Sequence, residues 1–412
     1  MLNLGMISTR FNGLDGVSLE SAKLAEVLVE AGHTVSWFAG ELGPQFSPGR
    51  LHPRAHFETD DNRRLEAACF GSFTRTPEVT AVLRAETDDL KAALRSFLDD
   101  FAIDVVITQN ALTIPMQLPL GMALTEVLAE RDMPVIAHHH DFAWERERFE
   151  VNAVPDILGA AFPPVLHRMR HMVIQTSARK QLIQRRGVVP TLLPNVMDFE
   201  RGPTEPGDGS RFRLHAGLDD DDIVLLQPTR VVPRKGIEIT IDLAAALNDP
   251  RVKVVITHPE GDEGDDYGAE LRAQADRLGV DLRFVNTQQF EGQSRESALG
   301  DAYAAADLVC FPSRYEGFGN AILEAFFHRR PVFVNRYSAY VNDIAPTGVQ
   351  CIEVDQKLDP VAVDEVQRLL DEPNTWKKAI DDNYEVCLEH FSYRVIRERV
   401  LPLVEEVAAV PA

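Results

Sequence analysis

The sequence contains few cysteines. Only four occur among its 412 residues, and Cys69, Cys310, Cys351 and Cys387 are widely scattered. They fit neither a disulfide framework nor the paired spacing of a metal-binding knuckle. Cys310 also lies inside an apolar run that is typical of a buried strand. A reducing cytoplasm is therefore the expected location.

Long apolar runs and an excess of positive charge are also absent. No run approaches the roughly 20 residues that span a bilayer, so we expect no integral membrane segment. The start, MLNLGMIS, has neither a basic region nor a long apolar core, and it is typical of a first strand rather than a signal peptide. The 42 Lys and Arg against 64 Asp and Glu give a net charge of −22, which argues against a nucleic-acid partner and against strong attraction to anionic membranes.

What the chain does have is a regular alternation of strand-like and helix-like segments. At 412 residues it is long for one hydrophobic core, so two domains are expected. The alternation predicts an α/β fold with two Rossmann-like, doubly wound parallel sheets. Amphipathic helices are predicted at 18–31 and 87–101, and the Gly- and Pro-rich segment 200–210 is the best linker. The predicted strands are 2–8, 34–38, 104–108, 134–138, 172–175, 191–193, 223–227, 252–257, 282–285, 308–311, 331–334 and 351–354.

Two glutamates eight residues apart, Glu316 and Glu324, give the most informative motif. An apolar run at 306–311 predicts a strand before them, and AILEAFF predicts a helix after it. Glu316 would then lie at the carboxyl end of a strand, where open α/β sheets bind ligands. A helix start attracts phosphate, and glycines let a ligand approach the backbone. The residues between strand and helix are Gly317, Phe318, Gly319 and Asn320.

A carboxylate on each side of such a site suits a sugar linked to a nucleotide. Glu324 could accept hydrogen bonds from ribose hydroxyls, and Glu316 from the hydroxyls of the sugar. The alternative is an ordinary strand, turn and helix with incidental glutamates, because short motifs also match by chance.

A basic cluster follows the strand predicted at 223–227. Arg230, Arg234 and Lys235 precede a helix that begins near Gly236. Helix starts favour acidic residues, so positive charge there is unfavourable unless an anion binds. Two cations converging on a diphosphate would form charge-assisted hydrogen bonds and neutralise a leaving group. The alternative is a solvated basic loop.

Together these segments resemble the retaining glycosyltransferases of family four, which have the GT-B fold. The E-x7-E element matches at Glu316 and Glu324, and the donor-phosphate Arg and Lys match at Arg230 and Lys235. Three further segments match in the family's order over nearly the whole chain: the early glycine loop NGLDGVSL at 12–19, the strand-end His-Asp of PVIAHHHD at 134–141, and PNVMD at 194–198 in place of PNGVD.

The resemblance implies an acceptor domain at 1–200, a donor domain at 201–385 and a final helix, 386–412, that crosses back onto the first domain. The two sheets would face a cleft. The co-substrate would be a UDP-, GDP- or ADP-sugar, with no metal or other cofactor required. The acceptor would be small and polar, and a homodimer is a possible assembly.

The same resemblance assigns roles to individual residues. His140 would contact the donor sugar near the reacting carbon, with Glu316, Arg230 and Lys235 completing the catalytic set. The amides of Gly319 and Asn320 would help to hold the leaving diphosphate. The residues implied for donor binding are Gly16, Arg230, Lys235, Glu316, Gly317, Phe318, Gly319, Asn320 and Glu324.

The three histidines before Asp141 permit other interpretations. On a strand, His138 and His140 would point to one face and His139 to the other. A metal site formed by His138, His140 and Asp141 competes with the sugar-binding interpretation. The third interpretation is that the three histidines have a purely structural role.

Arginines close to this segment could bind an anionic acceptor. Arg146 and Arg148 follow the histidines, and Arg10 lies on the first loop beside Asp15, which departs from the family's Gly-Gly-Val pattern. Arginine favours bidentate recognition of carboxylate and phosphate. A glycerate, a phosphorylated glycerate or a sugar phosphate would suit them, whereas a solvated charged helix is the alternative. The candidate acceptor residues are Arg10, Asp15, Asp141, Arg146 and Arg148.

A second departure lies after the strand at 331–334. The family often has a Gly-Gly pair and an acidic residue there, whereas this chain has Asn335, Arg336 and Tyr337.

Two rival functions stay open: a nucleotide-sugar 2-epimerase of GT-B type, and a non-catalytic nucleotide-sugar binding protein. A redox Rossmann enzyme is disfavoured because no G-x-G-x-x-G follows the first strand.

Overall fold

A computed structural model describes residues 1–13, 15–203, 207–258, 266–287 and 295–409, apart from the side chains of residues 295 and 296. The chain forms two compact units. The first contains Met1–Asn195 and the chain from Tyr393 onward, and the second is Val196–Ser392. The boundaries predicted at 200 and 386 differ from these limits by a few residues. The second unit begins at Val196, before the predicted linker, and it extends to Ser392.

The first unit is built on a seven-stranded parallel sheet in the order β3-β2-β1-β4-β5-β6-β7. Strand order reverses between β1 and β4, and the carboxyl ends of the strands at such a point form a binding crevice. The strands are β1 Asn3–Ile7, β2 Thr34–Ala39, β3 Gly49–Leu51, β4 Val105–Gln109, β5 Val135–His139, β6 Met169–Val173 and β7 Thr191–Leu192.

Helices of the first unit begin at recognisable caps. Thr76 accepts a hydrogen bond from Val79 N, and Pro77 occupies the first turn of the long third helix. This cap places the helix start ten residues before the predicted 87, where an apolar pattern alone does not mark it. The helices are α1 Gly16–Glu30, α2 Asp60–Cys69, α3 Pro77–Asp100, α4 Leu118–Glu130, α5 Pro155–Ala161 and α6 Thr176–Arg186.

The second unit has a six-stranded parallel sheet in the order β10-β9-β8-β11-β12-β13. Here β8 pairs with both β9 and β11, so the order reverses at β8 and β11. Its elements are α7 Ser210–Ala216, β8 Ile223–Gln227, α8 Ile237–Leu247, β9 Val252–Ile256, α9 Asp266–Leu278, β10 Asp281–Phe284, α10 Arg295–Ala305, β11 Leu308–Phe311, α11 Asn320–Phe327, β12 Val332–Asn335, β13 Ile352–Val354, α12 Pro360–Asp371 and α13 Lys377–His390.

The last helix, α14 Tyr393–Ala409, packs within the first unit. Tyr393 Oη donates to Glu26 Oε2 at 3.3 Å, and Arg170 Nε donates to Glu406 Oε1 at 2.8 Å. Within the described part of the chain, no helix is long and apolar enough to cross a membrane.

Two doubly wound parallel sheets were predicted, and this fold class is confirmed. Strand β3 was missed because it has three residues and little apolar pattern, GRL. The strand predicted at 172–175 lies instead at Met169–Val173, since Arg170 and His171 interrupt its apolar run.

The core of the first unit depends on α3. Leu90 is fully buried in a cluster with Leu94, Phe97 and Val106. We predict that Leu90→Ala lowers the free energy of unfolding by about 2–5 kcal/mol, because a cavity adds to the lost transfer energy. Val82, 46% exposed on the same helix, gives the control, Val82→Ala. Chemical denaturation measures both, and equal losses would contradict the assignment of the core face.

Candidate active site

The loop after β8 is shaped by a glycine. A 3-10 turn, Pro233–Lys235, ends at Gly236, which has a φ of 64° and starts α8. A Cβ at Gly236 would lie 2.4 Å from the carbonyl oxygen of Pro312, at the end of β11. The left-handed backbone and the close approach both require glycine. This packing holds the basic loop beside the loop that carries Glu316.

Glu316 is held by two cations. Its Oε1 accepts a hydrogen bond from Lys235 Nζ, and its Oε2 lies 3.2 Å from Arg234 Nη1. Only 10% of the Lys235 side chain and 11% of the Glu316 side chain are exposed. Removing either partner would leave a poorly hydrated charge, so the two loops are strongly coupled.

The environment of Lys235 favours an anion. Burial is the largest cause that lowers its pKa, and Arg234 and Arg230 lower it further, whereas Glu316 raises it. The ammonium also lies 5.3 Å from the centre of the Phe311 ring. Three cations, Lys235, Arg234 and Arg230, lie near the single carboxylate of Glu316, so a diphosphate bound here would balance the positive charge that Glu316 leaves over.

Sequence reasoning chose Arg230 and Lys235 as the two cations of this loop. Arg230 is exposed on the loop and is close enough to lower the pKa of Lys235. Arg234, which is not among the residues predicted for catalysis or donor binding, is the arginine that contacts Glu316. Spacing alone did not separate the two arginines, since only the 3-10 turn determines which one faces the glutamate.

The glycine loop is fixed by Tyr337. The Tyr337 hydroxyl donates to the carbonyl oxygen of Phe318 at 2.7 Å, and Tyr337 is buried. Gly319 has a φ of 124° and precedes α11, which begins at Asn320. Phe318 is buried against the Phe391 ring. The start of α11 therefore has a defined position relative to Glu316.

Glu324 lies on α11 and is held by a buried tyrosine. The Tyr303 hydroxyl donates to Glu324 Oε2 at 2.8 Å, and Tyr303 is fully buried. Burial raises the pKa of Tyr303, so the phenol stays a donor. Glu324, the residue predicted to bind the ribose, is thus a carboxylate with a fixed orientation.

The departure after β12 has a structural explanation. Asn335 is buried; its Nδ2 donates to Ser313 O at 2.9 Å and its Oδ1 accepts from Gln356 N at 2.7 Å. Arg336 pairs with Glu353. Asn335 and Tyr337 therefore brace the loops at the carboxyl ends of β11 and β12, where the related pattern has glycines.

In the first unit, the predicted alternation of the three histidines is observed at the end of β5. His138 Nδ1 and His140 Nε2 both contact Gln109 Oε1, at 3.0 and 3.1 Å. His139 points the other way, with its Nε2 2.9 Å from His171 Nδ1 and its Nδ1 against Thr113. His138 and His140 thus share one face of the sheet.

Burial keeps these imidazoles neutral. It is the largest cause that lowers the pKa of His138, His139 and His140, and it lowers the pKa of His171 to about 4. A neutral ring offers one donor and one acceptor. The His140 side chain can therefore accept a hydrogen bond from a hydroxyl near neutral pH.

Asn110 fixes the segment that follows β4 and β5. With a φ of 60°, it accepts from His140 N at 2.9 Å and donates to Asp141 Oδ1 at 2.8 Å. Arg146 Nε donates to the other oxygen of Asp141 at 2.8 Å. Neither Gln109 nor Asn110 was among the predicted site residues, although both occupy the strand-end positions where such residues are expected.

The other predicted acceptor residues are paired as well. Asp15 caps α1, accepting from Ser18 N at 3.0 Å, and lies 3.4 Å from Arg10. The cap gives Asp15 a structural role where the related pattern has glycine, and its contact with a substrate stays a prediction. Arg148 lies over the Phe149 ring and 3.8 Å from Glu66, and it is near enough to Arg146 for that arginine to lower its pKa, although burial is the largest cause.

Two further predictions concern the space around Gly16 and a metal site at the histidines. A Cβ at Gly16, the first residue of α1, would meet no atom within 4 Å, so packing does not demand glycine and close approach of a diphosphate stays a prediction. Within the described ranges, no group of three His, Cys, Asp or Glu side chains could hold a metal ion. Asp141, one of the three ligands considered, is paired with Arg146.

We predict that Gly319→Ala disrupts the glycine loop. A Cβ there would lie 2.1 Å from Tyr337 Oη, and alanine disfavours a φ of 124°. Gly348→Ala is the matched control, because Gly348 has a φ of 99° but no atom within 4 Å. The control should lose about 1–3 kcal/mol from backbone strain, and Gly319→Ala more.

A double variant separates the two causes of that loss. Tyr337→Phe removes the hydroxyl that the new methyl group would meet, so Gly319→Ala should cost less in that background. Thermal denaturation of the four proteins measures the coupling. An additive result would contradict the close contact.

The comparisons with known proteins agree with this geometry. Residues 211–386 match the family described as "Glycosyl transferases group 1". A mannosylglucosylglycerate synthase from Thermotoga maritima is 30% identical over 97% of this chain and 100% of its own length. One from Petrotoga mobilis is 28% identical over 87% of this chain and 88% of its own length.

Solved structures agree in fold. Anabaena HepE in complex with UDP-glucose has a TM-score of 0.68 at 15% identity and covers 100% of both chains. A sucrose-phosphate synthase from Thermosynechococcus elongatus has a TM-score of 0.67 at 17% identity, covering 99% of this chain and 100% of its own. The chain therefore belongs to the group 1 glycosyltransferases and has the GT-B fold, as the motifs predicted.

Proposed function

We propose that the protein is a retaining hexosyltransferase that uses a nucleoside diphosphate sugar and a small anionic hydroxyl acceptor of the glycerate type. The observation that carries the donor assignment is the sheltered cluster of Lys235, Arg234 and Glu316. It combines cations for a diphosphate with a carboxylate for sugar hydroxyls, at the carboxyl ends of β8 and β11.

In this proposal each charged group of the second unit has one task. Lys235, Arg234 and Arg230 neutralise the diphosphate, which is the leaving group. Glu316 turns from the cations to the hydroxyls of the sugar as the phosphates bind. Glu324, anchored by Tyr303, accepts hydrogen bonds from the ribose. The start of α11 adds backbone amides, since a helix N-terminus attracts phosphate.

The acceptor assignment rests on the relatives. Two chains similar over most of this sequence are named mannosylglucosylglycerate synthase, and that name contains a mannosyl group, a glucosyl group and a glycerate. Transfer of a hexosyl group to a glucosylglycerate would yield such a product. Its single carboxylate suits the arginines of the first unit, namely Arg10, Arg146 and Arg148, which lie beside acidic partners that an incoming anion would displace.

The chemical step can be written without an enzyme nucleophile. The bond from the anomeric carbon to the diphosphate oxygen breaks, and a bond to the acceptor oxygen forms on the same face through an oxocarbenium-like state. The acceptor proton passes to the departing phosphate oxygen. His140, neutral because it is buried, accepts a hydrogen bond from a sugar hydroxyl. Basic side chains neutralise the diphosphate, so no metal is required in this scheme.

A substrate screen tests the proposal. We expect one of the UDP-, GDP- and ADP-linked glucoses and mannoses to raise the melting temperature by several degrees, because a ligand stabilises the state that it binds. With that donor, glucosylglycerate and D-glycerate should be glycosylated faster than glycerol, their uncharged control. The anomeric proton of the product, followed by NMR from the first minutes, reports retention.

Other outcomes of the screen would favour other functions. A new epimer formed from the donor alone would favour the nucleotide-sugar 2-epimerase. Donor binding without turnover of any acceptor would favour the binding protein. Equal rates with glycerol and glucosylglycerate would contradict an anion-selective acceptor site.

Lys235→Ala tests the donor site directly. We predict that it lowers kcat/KM by about 10²–10³-fold, the usual effect of losing one preorganised charge at a leaving group. Lys377→Ala, which removes an exposed lysine from α13, is the control. Isothermal titration with the free nucleoside diphosphate should show the same ranking. Activity and affinity like those of the control would remove Lys235 from the site.

A further inference from the structure

Gln109 joins two of the three histidines. It is the last residue of β4 and is fully buried. A single atom, its Oε1, lies 3.0 Å from His138 Nδ1 and 3.1 Å from His140 Nε2. The two rings lie 4.4 Å apart, centre to centre. One amide therefore contacts both imidazoles that face this side of the sheet.

A carbonyl oxygen can only accept hydrogen bonds, so both rings must carry a hydrogen on the nitrogen that faces it. A neutral imidazole carries one such hydrogen. The contact with Gln109 therefore fixes the tautomers: His138 is protonated on Nδ1, and His140 is protonated on Nε2. His140 Nδ1 is left as the acceptor of that ring.

We propose that Gln109 is a positioning residue for sugar transfer, which holds His140 in the tautomer whose Nδ1 accepts a hydrogen bond from a substrate hydroxyl. This inference rests on the proposed function. Gln109 itself touches neither substrate; it acts through His140. The ligand group that it selects is a neutral hydroxyl, because the acceptor nitrogen would repel a carboxylate or a phosphate oxygen.

A second observation separates this role from simple stabilisation. Gln109 Nε2 and His138 Nε2 are both buried and have no hydrogen-bond partner among the described residues. Buried polar groups are normally bonded, and an unsatisfied one costs about 1–3 kcal/mol. A leucine would remove the unpaired Nε2 of Gln109, but it would leave His138 Nδ1–H and His140 Nε2–H without an acceptor. The amide is therefore kept for its oxygen, which both rings contact, and not for its nitrogen, which contributes no bond.

The charge of the surrounding groups explains why an amide suits this position better than a carboxylate. His138 on β5, the carboxylates of Glu20 and Asp15 on and before α1, and Asp141 after β5 face His140. Burial outweighs the carboxylates and lowers the pKa of His140. One more carboxylate at 109 would favour the imidazolium, in which Nδ1 is a donor.

Two variants and one control test the inference in the full-length chain. Gln109→Leu removes the acceptor, and Gln109→Glu replaces it by a carboxylate of the same shape. Gln117→Leu is the control: Gln117 is also buried in the first unit, but within the described part of the chain its amide hydrogen-bonds only the backbone of Arg54 and Leu120.

The first readout is independent of turnover. Long-range ¹H–¹⁵N spectra of protein labelled at histidine report which nitrogen is protonated, and a His140→Asn variant assigns the signals. We expect wild type and Gln117→Leu to show His140 protonated on Nε2 at pH 7. Gln109→Leu should show mixed tautomers, and Gln109→Glu an imidazolium. An unchanged His140 pattern in Gln109→Leu would overturn the inference.

The second readout is the pH dependence of transfer. In wild type we expect His140 to be neutral at pH 7, since burial lowers its pKa from that of a free imidazole. In Gln109→Glu the pKa of His140 rises and the imidazolium already forms at pH 7, so kcat should be low there and recover as the pH rises towards 9. Gln109→Leu should lose kcat about 10–100-fold at every pH, the range for residues that orient functional histidines, with the donor KM unchanged.

The two readouts also separate failure of the inference from failure of the proposed function. Tautomers that depend on Gln109, in a protein that transfers sugar to no acceptor, would overturn the transferase step and the assigned task of Gln109 with it. Transfer with a pH profile and kcat that do not differ between Gln109→Leu and Gln117→Leu would overturn the inference alone.

Discussion

The ion cluster of Lys235, Arg234 and Glu316 is the interaction on which the second unit's site depends. It couples the loops after β8 and β11, and only about a tenth of the Lys235 and Glu316 side chains is exposed. Lys235 and Glu316 are both poorly hydrated, so removing either one would leave a charge without its partner, whereas Arg234, with 35% of its side chain exposed, adds a second contact to Glu316. A diphosphate could take the place of Glu316 without leaving a cation unpaired, and Glu316 would then be available for sugar hydroxyls.

Backbone positions with unusual torsion angles make that cluster possible. Gly236 lets the basic loop pack against Pro312, and Gly319 lets Tyr337 hold the carbonyl of Phe318. Asn335 ties the ends of the neighbouring strands. The residues that depart from the related pattern therefore support the same loop by hydrogen bonds from tyrosine and asparagine.

The sequence was sufficient to predict most of the strands, both sheets and the position of Glu316, because these follow from apolar runs and from where strands end; the short strand β3, with little apolar pattern, was missed. It did not distinguish Arg234 from Arg230, since a 3-10 turn decides which of them faces the glutamate. It also missed Gln109, whose proposed role depends on two histidines at the end of another strand. A short-range pattern predicts elements, whereas pairs across strands require the register.

The two units handle charge in opposite ways. Lys235 and its neighbours form a charged cluster, whereas buried His138 and His140 stay neutral around Gln109. The chain carries a net charge of −22, which repels anions, although salt screens that repulsion beyond about 8 Å. In the proposed reaction the diphosphate therefore needs fixed cations at short range, whereas the sugar hydroxyls can be bound both by the carboxylate of Glu316 and by the neutral imidazole of His140. A positive cluster in one unit and uncharged rings in the other meet these two needs.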